Sequence, residues 1–208
     1  MSGRIALTFD DGPGPVWTPR VLDALRTAGV QATFFVVAPL AERHPGLLRR
    51  AVDEGHEVAL HCNRHTRHDR MDKEDILADA SGGLGTLRAL GHEVQDWRTP
   101  WGVVTPDTER VAEELGLRLV GWSADSEDWR GGDASAMLDR LKPEIGPGTI
   151  VLMHDGAGPG ATRGGCGQTV ALVAPLVETA RSRGLRAVTV GELAGDLPSR
   201  NPDRVTGV

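Results

Sequence analysis

Residues 61–70 read HCNRHTRHDR, placing His61, His65, His68 and one of the chain's two cysteines within eight positions. Imidazole and thiolate both bind metal ions, so spacing is the first guide to which of them converge. His61 and His65 are four apart, and on a helix both would leave one face with Cβ atoms about 5–6 Å apart. His65 and His68 are three apart and meet the same condition, so spacing alone leaves both pairs open. Cys62 adjoins His61 and points to a different face in strand or helix, which favours a small buried side chain over a ligand. His44, His56 and His92 fall in connections or where strands begin, positions that suit surface or hydrogen-bonded histidines.

A carboxylate to complete such a set stands upstream. Asp10-Asp11-Gly12-Pro13 follows an apolar run, and adjacent aspartates at the edge of a core are costly unless a cation or an arginine compensates them. A plain Asp-Gly turn is the competing reading. One carboxylate and two histidines make a catalytic metal set that leaves positions open for water and substrate. Further groups of the same character are Arg98-Thr99-Pro100-Trp101-Gly102, Asp125-Ser126-Glu127-Asp128-Trp129 and His154-Asp155-Gly156.

These groups recur because of the elements that must carry them. Strand patterns are read at 4–9, 32–37, 56–60, 94–98, 118–122, 149–153 and 186–190, seven in all, with amphipathic stretches between. That alternation is the mark of an α/β domain with a mainly parallel sheet, either a distorted barrel of seven βα units or an open doubly wound sheet. Chemistry then collects at the C-terminal ends of the strands, where every group named above lies. Core-facing helical spacing is read for Trp17, Val21, Leu22 and Leu25, for Leu48 with Val52, and for Val170, Val173, Leu176, Val177 and Ala180. A helix through 73–90 is expected to break at Gly82, Gly83 and Gly85, since each glycine costs about 1 kcal/mol against alanine. The chain divides into residues 1–195 as one catalytic domain and 196–208 as a loose C-terminal tail.

With 208 residues, 39% hydrophobic, 25% charged and a formal charge of -6, the chain can bury a core, and it shows no basic patch for nucleic acid or a membrane surface. It contains no apolar run of the roughly 18 residues that span a bilayer. The N-terminal MSGRIALTFDDGPGP has one arginine and a short apolar run, so it reads as a first strand and not as an export signal. The expectation is a cytoplasmic protein, or a secreted one if the sequence was trimmed ahead of Met1. Cys62 and Cys166 form no disulfide framework.

In order along the chain, Thr8-Phe9-Asp10-Asp11-Gly12-Pro13, His61-x-x-x-His65, Arg98-x-Pro100-Trp101-Gly102, Asp125-x-x-Asp128-Trp129 and Leu152-x-His154 resemble the five short motifs of the polysaccharide deacetylases. That family includes chitin, peptidoglycan N-acetylglucosamine and chito-oligosaccharide deacetylases and some acetylxylan esterases. The resemblance spans nearly the whole chain and implies a distorted (β/α)7 barrel in a single domain. It also implies one divalent metal ion, usually Zn2+, with Co2+ or another ion in some members.

Carried over by position, Asp11, His61 and His65 would be the metal ligands, Asp10 the general base and His154 the general acid. Arg98 would orient and ionise Asp10, and Asp128 would pair with His154. The Trp101 amide, in the turn begun by Pro100, would help hold the oxyanion, and Trp129 and Leu152 would line the acetyl pocket. His68 is then left to a supporting or surface position. Three departures bear on the substrate: Cys62 where Ser or Thr is usual, Thr66 where proline is frequent, and a longer, glycine-rich loop after His154.

The activity so implied is metal-dependent hydrolysis of the N-acetyl group of an amino sugar, a chito-oligosaccharide or a related soluble compound. Its partners would be a small-molecule or oligosaccharide substrate, with no nucleic acid, membrane or protein partner. Trp101, Trp129 and Trp17 offer sugar-stacking faces. An O-acetyl esterase of the acetylxylan type and a non-catalytic carbohydrate-binding relative are the alternatives, the second opposed by the intact Asp10, Arg98 and His154.

Overall fold

The first strand, β1 (Gly3–Asp10), is buried from Ile5 onward, as a near-continuous apolar run requires when both faces are covered. In the computed structural model, which describes residues 3–195, β1 is the central strand. It pairs with β2 (Thr33–Val37), with β7 (Ile150–His154) and, through Gly3–Ala6, with β8 (Leu185–Val188). The sheet continues through β3 (Glu57–Cys62), β4 (Asp96–Trp97) and β5 (Arg118–Leu119) on one side and β6 (Ala124–Asp125) on the other. Every pairing among the described residues is parallel, and the order β5-β4-β3-β2-β1-β7-β6 leaves β5 and β6 at opposite ends of the path. The result is a curled, open (β/α) half-barrel in one domain. The expected tail at 196–208 lies outside the described residues.

Alternation along β1 sorts its side chains between two cores. Ile5, Leu7 and Phe9 join the large cluster under the helices, where Phe9 stacks on Phe34 at 5.3 Å, and Ala6 joins a smaller cluster with Phe35, Ala59 and Val188. Asp10 continues the Ala6 and Thr8 face. Each large apolar side chain buried in this way contributes about 1.5–3 kcal/mol.

The covering helices are α1 (Thr18–Ala28), α2 (Ala38–Arg43), α3 (Pro45–Asp53), α4 (Lys73–Ala89), α5 (Pro106–Leu115), α6 (Ala134–Leu141), α7 (Gly167–Ser182) and α8 (Val190–Gly195). Local chemistry sets their ends. The Asp72 carboxylate caps α4 by accepting from the Asp75 amide, Thr105 and Thr108 form a capping box on α5, and α1 stops at Gly29 in a left-handed conformation. Val21, Leu22 and Leu25 of α1 and Val173, Leu176, Val177 and Ala180 of α7 are buried as their spacing predicts.

Several expectations need correction. The α4 helix runs unbroken for 17 residues. One of its glycines serves packing: a Cβ at Gly83 would stand 2.7 Å from Leu60 Cδ1 of β3, so the helix approaches the sheet only without a side chain there. Strands expected over 94–98 and 118–122 contract to two residues each, and a further short strand, β6, makes eight. Part of the reason is Arg98, whose guanidinium donates to the carbonyl of Val120, the residue whose amide still pairs with β4, and to that of Gly121 beyond it. Val52 is 43% exposed although Leu48 of the same helix is buried. Trp17 precedes α1 instead of lying on its core face.

Candidate active site

The C-terminal ends of the parallel strands open into a cleft of about 270 Å³, lined by Asp10, Asp11, His61, His65, Trp101, Trp122, Asp125, Trp129, Leu152 and His154 with residues 158–161. Each polar member is delivered by a strand end. Asp10 is the last residue of β1 and stands in register with His154, the last of β7, so both side chains leave the same face of adjacent strands. Asp11 follows with φ 74°, and Trp101 has φ 55°. Left-handed backbone at two residues other than glycine is conformational strain concentrated at one site.

His61 and His65 meet in a manner that the helical spacing rule does not describe. His61 belongs to β3, and His65 lies in the irregular segment beyond it. The turn between them is shaped from α4, where the buried Asp79 carboxylate accepts from the amides of Asn63 and Arg64. Their Nε2 atoms are 3.2 Å apart and stand 3.5 and 3.1 Å from Asp11 Oδ1. Asp11 Oδ1 is buried without a hydrogen-bond partner. His61 Nδ1 donates to the Arg98 carbonyl at 2.7 Å, which leaves the Nε2 lone pair facing Asp11.

Ligand atoms about 2.0–2.2 Å from a tetrahedral ion lie about 3.3–3.6 Å apart. The observed separations, the orphaned oxygen and the donor set therefore fit a divalent metal ion. Burial works against the charge of Asp11, yet the two imidazoles outweigh it and hold the carboxyl well below the usual range.

The competing pair is excluded by what His68 does. It is buried, its Nδ1 bonds Thr108 Oγ1 at the α5 cap, and burial lowers its pKa to about 4. It is thus a supporting residue and not a surface one. Cys62 is buried and reduced; burial pushes its thiol well above the ordinary range, far from thiolate character. Cys166 is likewise free and buried, so the two are not bridged. Pro100 is buried and does not line the cleft. Trp17 is absent from the lining and packs where Gly165 leaves room for it, and Trp122 takes a place in the cleft that was not foreseen.

Two buried ion pairs flank the cleft. Arg98 Nη1 donates to Asp10 Oδ1 at 2.8 Å and to Thr8 Oγ1, with its guanidinium 4.0 Å from the Phe35 ring. On the other side, His154 Nδ1 bonds Asp128 Oδ1 at 2.6 Å. Burial disfavours the His154 imidazolium, but the Asp128 hydrogen bond and charge outweigh it and raise the pKa to about 9. Burial opposes the Asp128 charge too, while His154, Arg163 and Thr169 hold its pKa down to about 2. Beside them Asp155, pushed up to about 7 mainly by burial, accepts from Thr18 Oγ1. The arrangement places a cluster able to hold a metal ion, a carboxylate and an imidazole paired with a buried aspartate around one cleft.

Among the described residues, no helix is long and apolar enough to cross a membrane. Residues 2–120 match the polysaccharide deacetylase family. The chain is 36% identical over 186 residues to a chitooligosaccharide deacetylase of Sinorhizobium fredii, covering 86% of each. It is 35% identical over 197 residues to a peptidoglycan-N-acetylglucosamine deacetylase of Listeria monocytogenes, where the match takes 93% of this chain and 39% of that protein. Its fold superposes on a family 4 carbohydrate esterase from Streptomyces lividans in complex with acetate with a TM-score of 0.80, at 29% identity and covering 89% and 91% of the two chains. A parallel half-barrel with this rim, matched over most of its length, makes the chain a member of the polysaccharide deacetylase family.

Proposed function

We propose that the chain removes acetate from the N-acetyl group of an amino sugar, most directly of a chito-oligosaccharide, with Asp11, His61 and His65 holding Zn2+ and residues 1–195 acting as one catalytic unit. The observation that carries this reading is the pairing of Asp10 and His154 in register beside the metal-ligand cluster, each backed by its own buried charge partner. Two imidazoles and a carboxylate suit zinc, with cobalt as the alternative ion. A bound divalent ion supplies polarisation of the acetyl carbonyl and a lowered pKa for water.

The side chains divide the proton work. Asp10, with Oδ1 engaged by Arg98, takes a proton from the attacking water through its other oxygen. The acetyl oxygen gains charge as the carbonyl is attacked, and the Trp101 amide, in the left-handed turn at the cleft wall, donates to it, a contribution of about 3–4 kcal/mol for one such donor. His154 gives its Nε2 proton to the departing amine, a poor leaving group without it. Asp128 holds the ring through Nδ1, which fixes that orientation. Asp10 then releases its proton to solvent and His154 regains one from it, so that the net reaction divides one water between acetate and amine. Trp101, 42% exposed, and Trp129 present aromatic faces to a sugar ring, and Leu152 faces the acetyl methyl.

The test is acetate release from an N-acetylated chito-oligosaccharide and from an acetylated xylo-oligosaccharide, by metal-free and by zinc- or cobalt-reconstituted protein. Metal-dependent turnover of the first supports the proposal. Preference for the second makes the protein an O-acetyl esterase, and binding without acetate release under every metal condition makes it a carbohydrate-binding relative.

A further inference from the structure

Arg163 belongs to none of the five motifs, yet its side chain is 4% exposed and its guanidinium is committed to the neighbourhood of the general-acid pair. Nη1 donates to Asp128 Oδ2 at 2.5 Å and to Thr169 Oγ1 at 2.8 Å; Nη2 donates to the carbonyls of His154 and Gly156. Asp128 Oδ2 accepts in addition from the His154 amide and from the Thr169 hydroxyl. Three donors therefore pin Oδ2 and leave Oδ1 to the imidazole alone.

The same residue closes the base of the glycine-rich loop. Residues 158–161 of that loop line the cleft, and Gly158 lies so close to Asp11 that a Cβ there would meet the carboxylate. Thr162 anchors the loop to the carbonyls of Trp129 and Arg130.

We propose that Arg163 is the positioning residue of the general acid: through Asp128 it fixes the His154 ring and keeps the carboxylate from competing for the proton meant for the leaving amine, and it ties that setting to the loop forming the cleft wall. This rests on the reading of His154 as the acid. A planar guanidinium reaching a carboxylate and two carbonyls at once is work that an ammonium cannot reproduce.

The experiment uses zinc-loaded enzyme, an N-acetylated chito-oligosaccharide as an amide that needs leaving-group protonation, and 4-nitrophenyl acetate as an ester whose phenolate leaves without it. For Arg163→Ala the ratio of amide to ester kcat is expected to fall about 10- to 100-fold with little change in amide KM, and guanidinium ion in the buffer is expected to restore part of the amide rate. Arg163→Lys, which retains a buried cation should the alanine variant not fold, is expected to shift the ratio in the same direction by less. An equal loss on both substrates, or an unchanged ratio in both variants, overturns the proposal. His154→Ala separates the two levels. If it loses amide turnover while the Arg163 ratio stands still, only the role of Arg163 falls; if it retains amide turnover, the assignment of His154 falls.

Discussion

The two sides of the cleft use the same chemical pair to opposite ends. Arg98 with Asp10 and Arg163 with Asp128 are both buried arginine–aspartate contacts, at 2.8 and 2.5 Å. Arg98 engages one oxygen of Asp10, and Asp10 lines the cleft, so that carboxylate retains an oxygen for chemistry. Asp128 has both oxygens filled by four donors and does not line the cleft. A half-satisfied carboxylate is a base; a saturated one is a support. The lesson is that the number of lone pairs left over, and not the presence of an ion pair, separates an acting residue from a holding one.

The sharpest way to break this contrast is to remove the two groups proposed to act, Asp10 and His154. Asp10→Asn and His154→Ala are each expected to lower kcat/KM on an N-acetylated chito-oligosaccharide about 10²–10⁴-fold with metal content unchanged by elemental analysis. Asp10→Asn turnover near the parent rate would remove Asp10 as the base. Next in size, Asp11→Asn is expected to weaken zinc affinity more than about 10²-fold in a chelator competition titration; unchanged affinity would show that the histidines hold metal without it.

A smaller effect is expected from the support. Asp128→Asn keeps the shape and removes the charge, and about a 10- to 100-fold loss in kcat is expected. In metal-free protein the His154 imidazole is expected to titrate near the raised value of about 9 and to drop in Asp128→Asn, where burial is left without its counterweight; NMR of the ring nitrogens follows both. Because the His154 pKa lies above the ordinary 6.5 and that of Asp128 below the ordinary 3.8, the stabilisation from this pair is complete between about pH 4 and pH 6.5, is lost as pH rises through about 9, and is lost in acid as pH falls through about 2. Chemical denaturation of the metal-free protein should show that decline in the parent and a flatter profile in Asp128→Asn. The smallest effect sharpens the boundary of the site: Cys62→Ser should leave zinc affinity unaltered, and loss of metal would return Cys62 to the ligand set.

Much of the rim was legible because its residues sit at strand ends, where an apolar run stops and a charged cluster begins. Helical spacing leaves both His61/His65 and His65/His68 open, and it does not describe the chain there, which is a strand followed by a turn; the His61 and His65 imidazoles converge because Asp79, on another element, gathers the turn amides. Arg163 gave no local signal, since a lone arginine in a glycine-rich loop is ordinarily solvent-facing, and its burial depends on Asp128, 35 positions away. The patterns at 94–98 and 118–122 are longer than β4 and β5, and the two-residue β6 carries no pattern of its own, because strand patterns report side-chain character while ladder length depends on backbone partners, and Arg98 takes the Val120 carbonyl at the end of β5.

What the sequence determined by itself is the α/β alternation, the identity of the chemistry-bearing groups and their assignment to one rim, because those follow from periodicity and residue type along the chain. Residue spacing leaves the histidine pair open and the motif resemblance names His61 and His65; tertiary structure alone decided how that pair is brought to Asp11, which carboxylate oxygens stay free and which arginine stands behind His154. Each of those is a matter of hydrogen-bond partners brought together from distant elements, and lone pairs are counted only once every donor is in place.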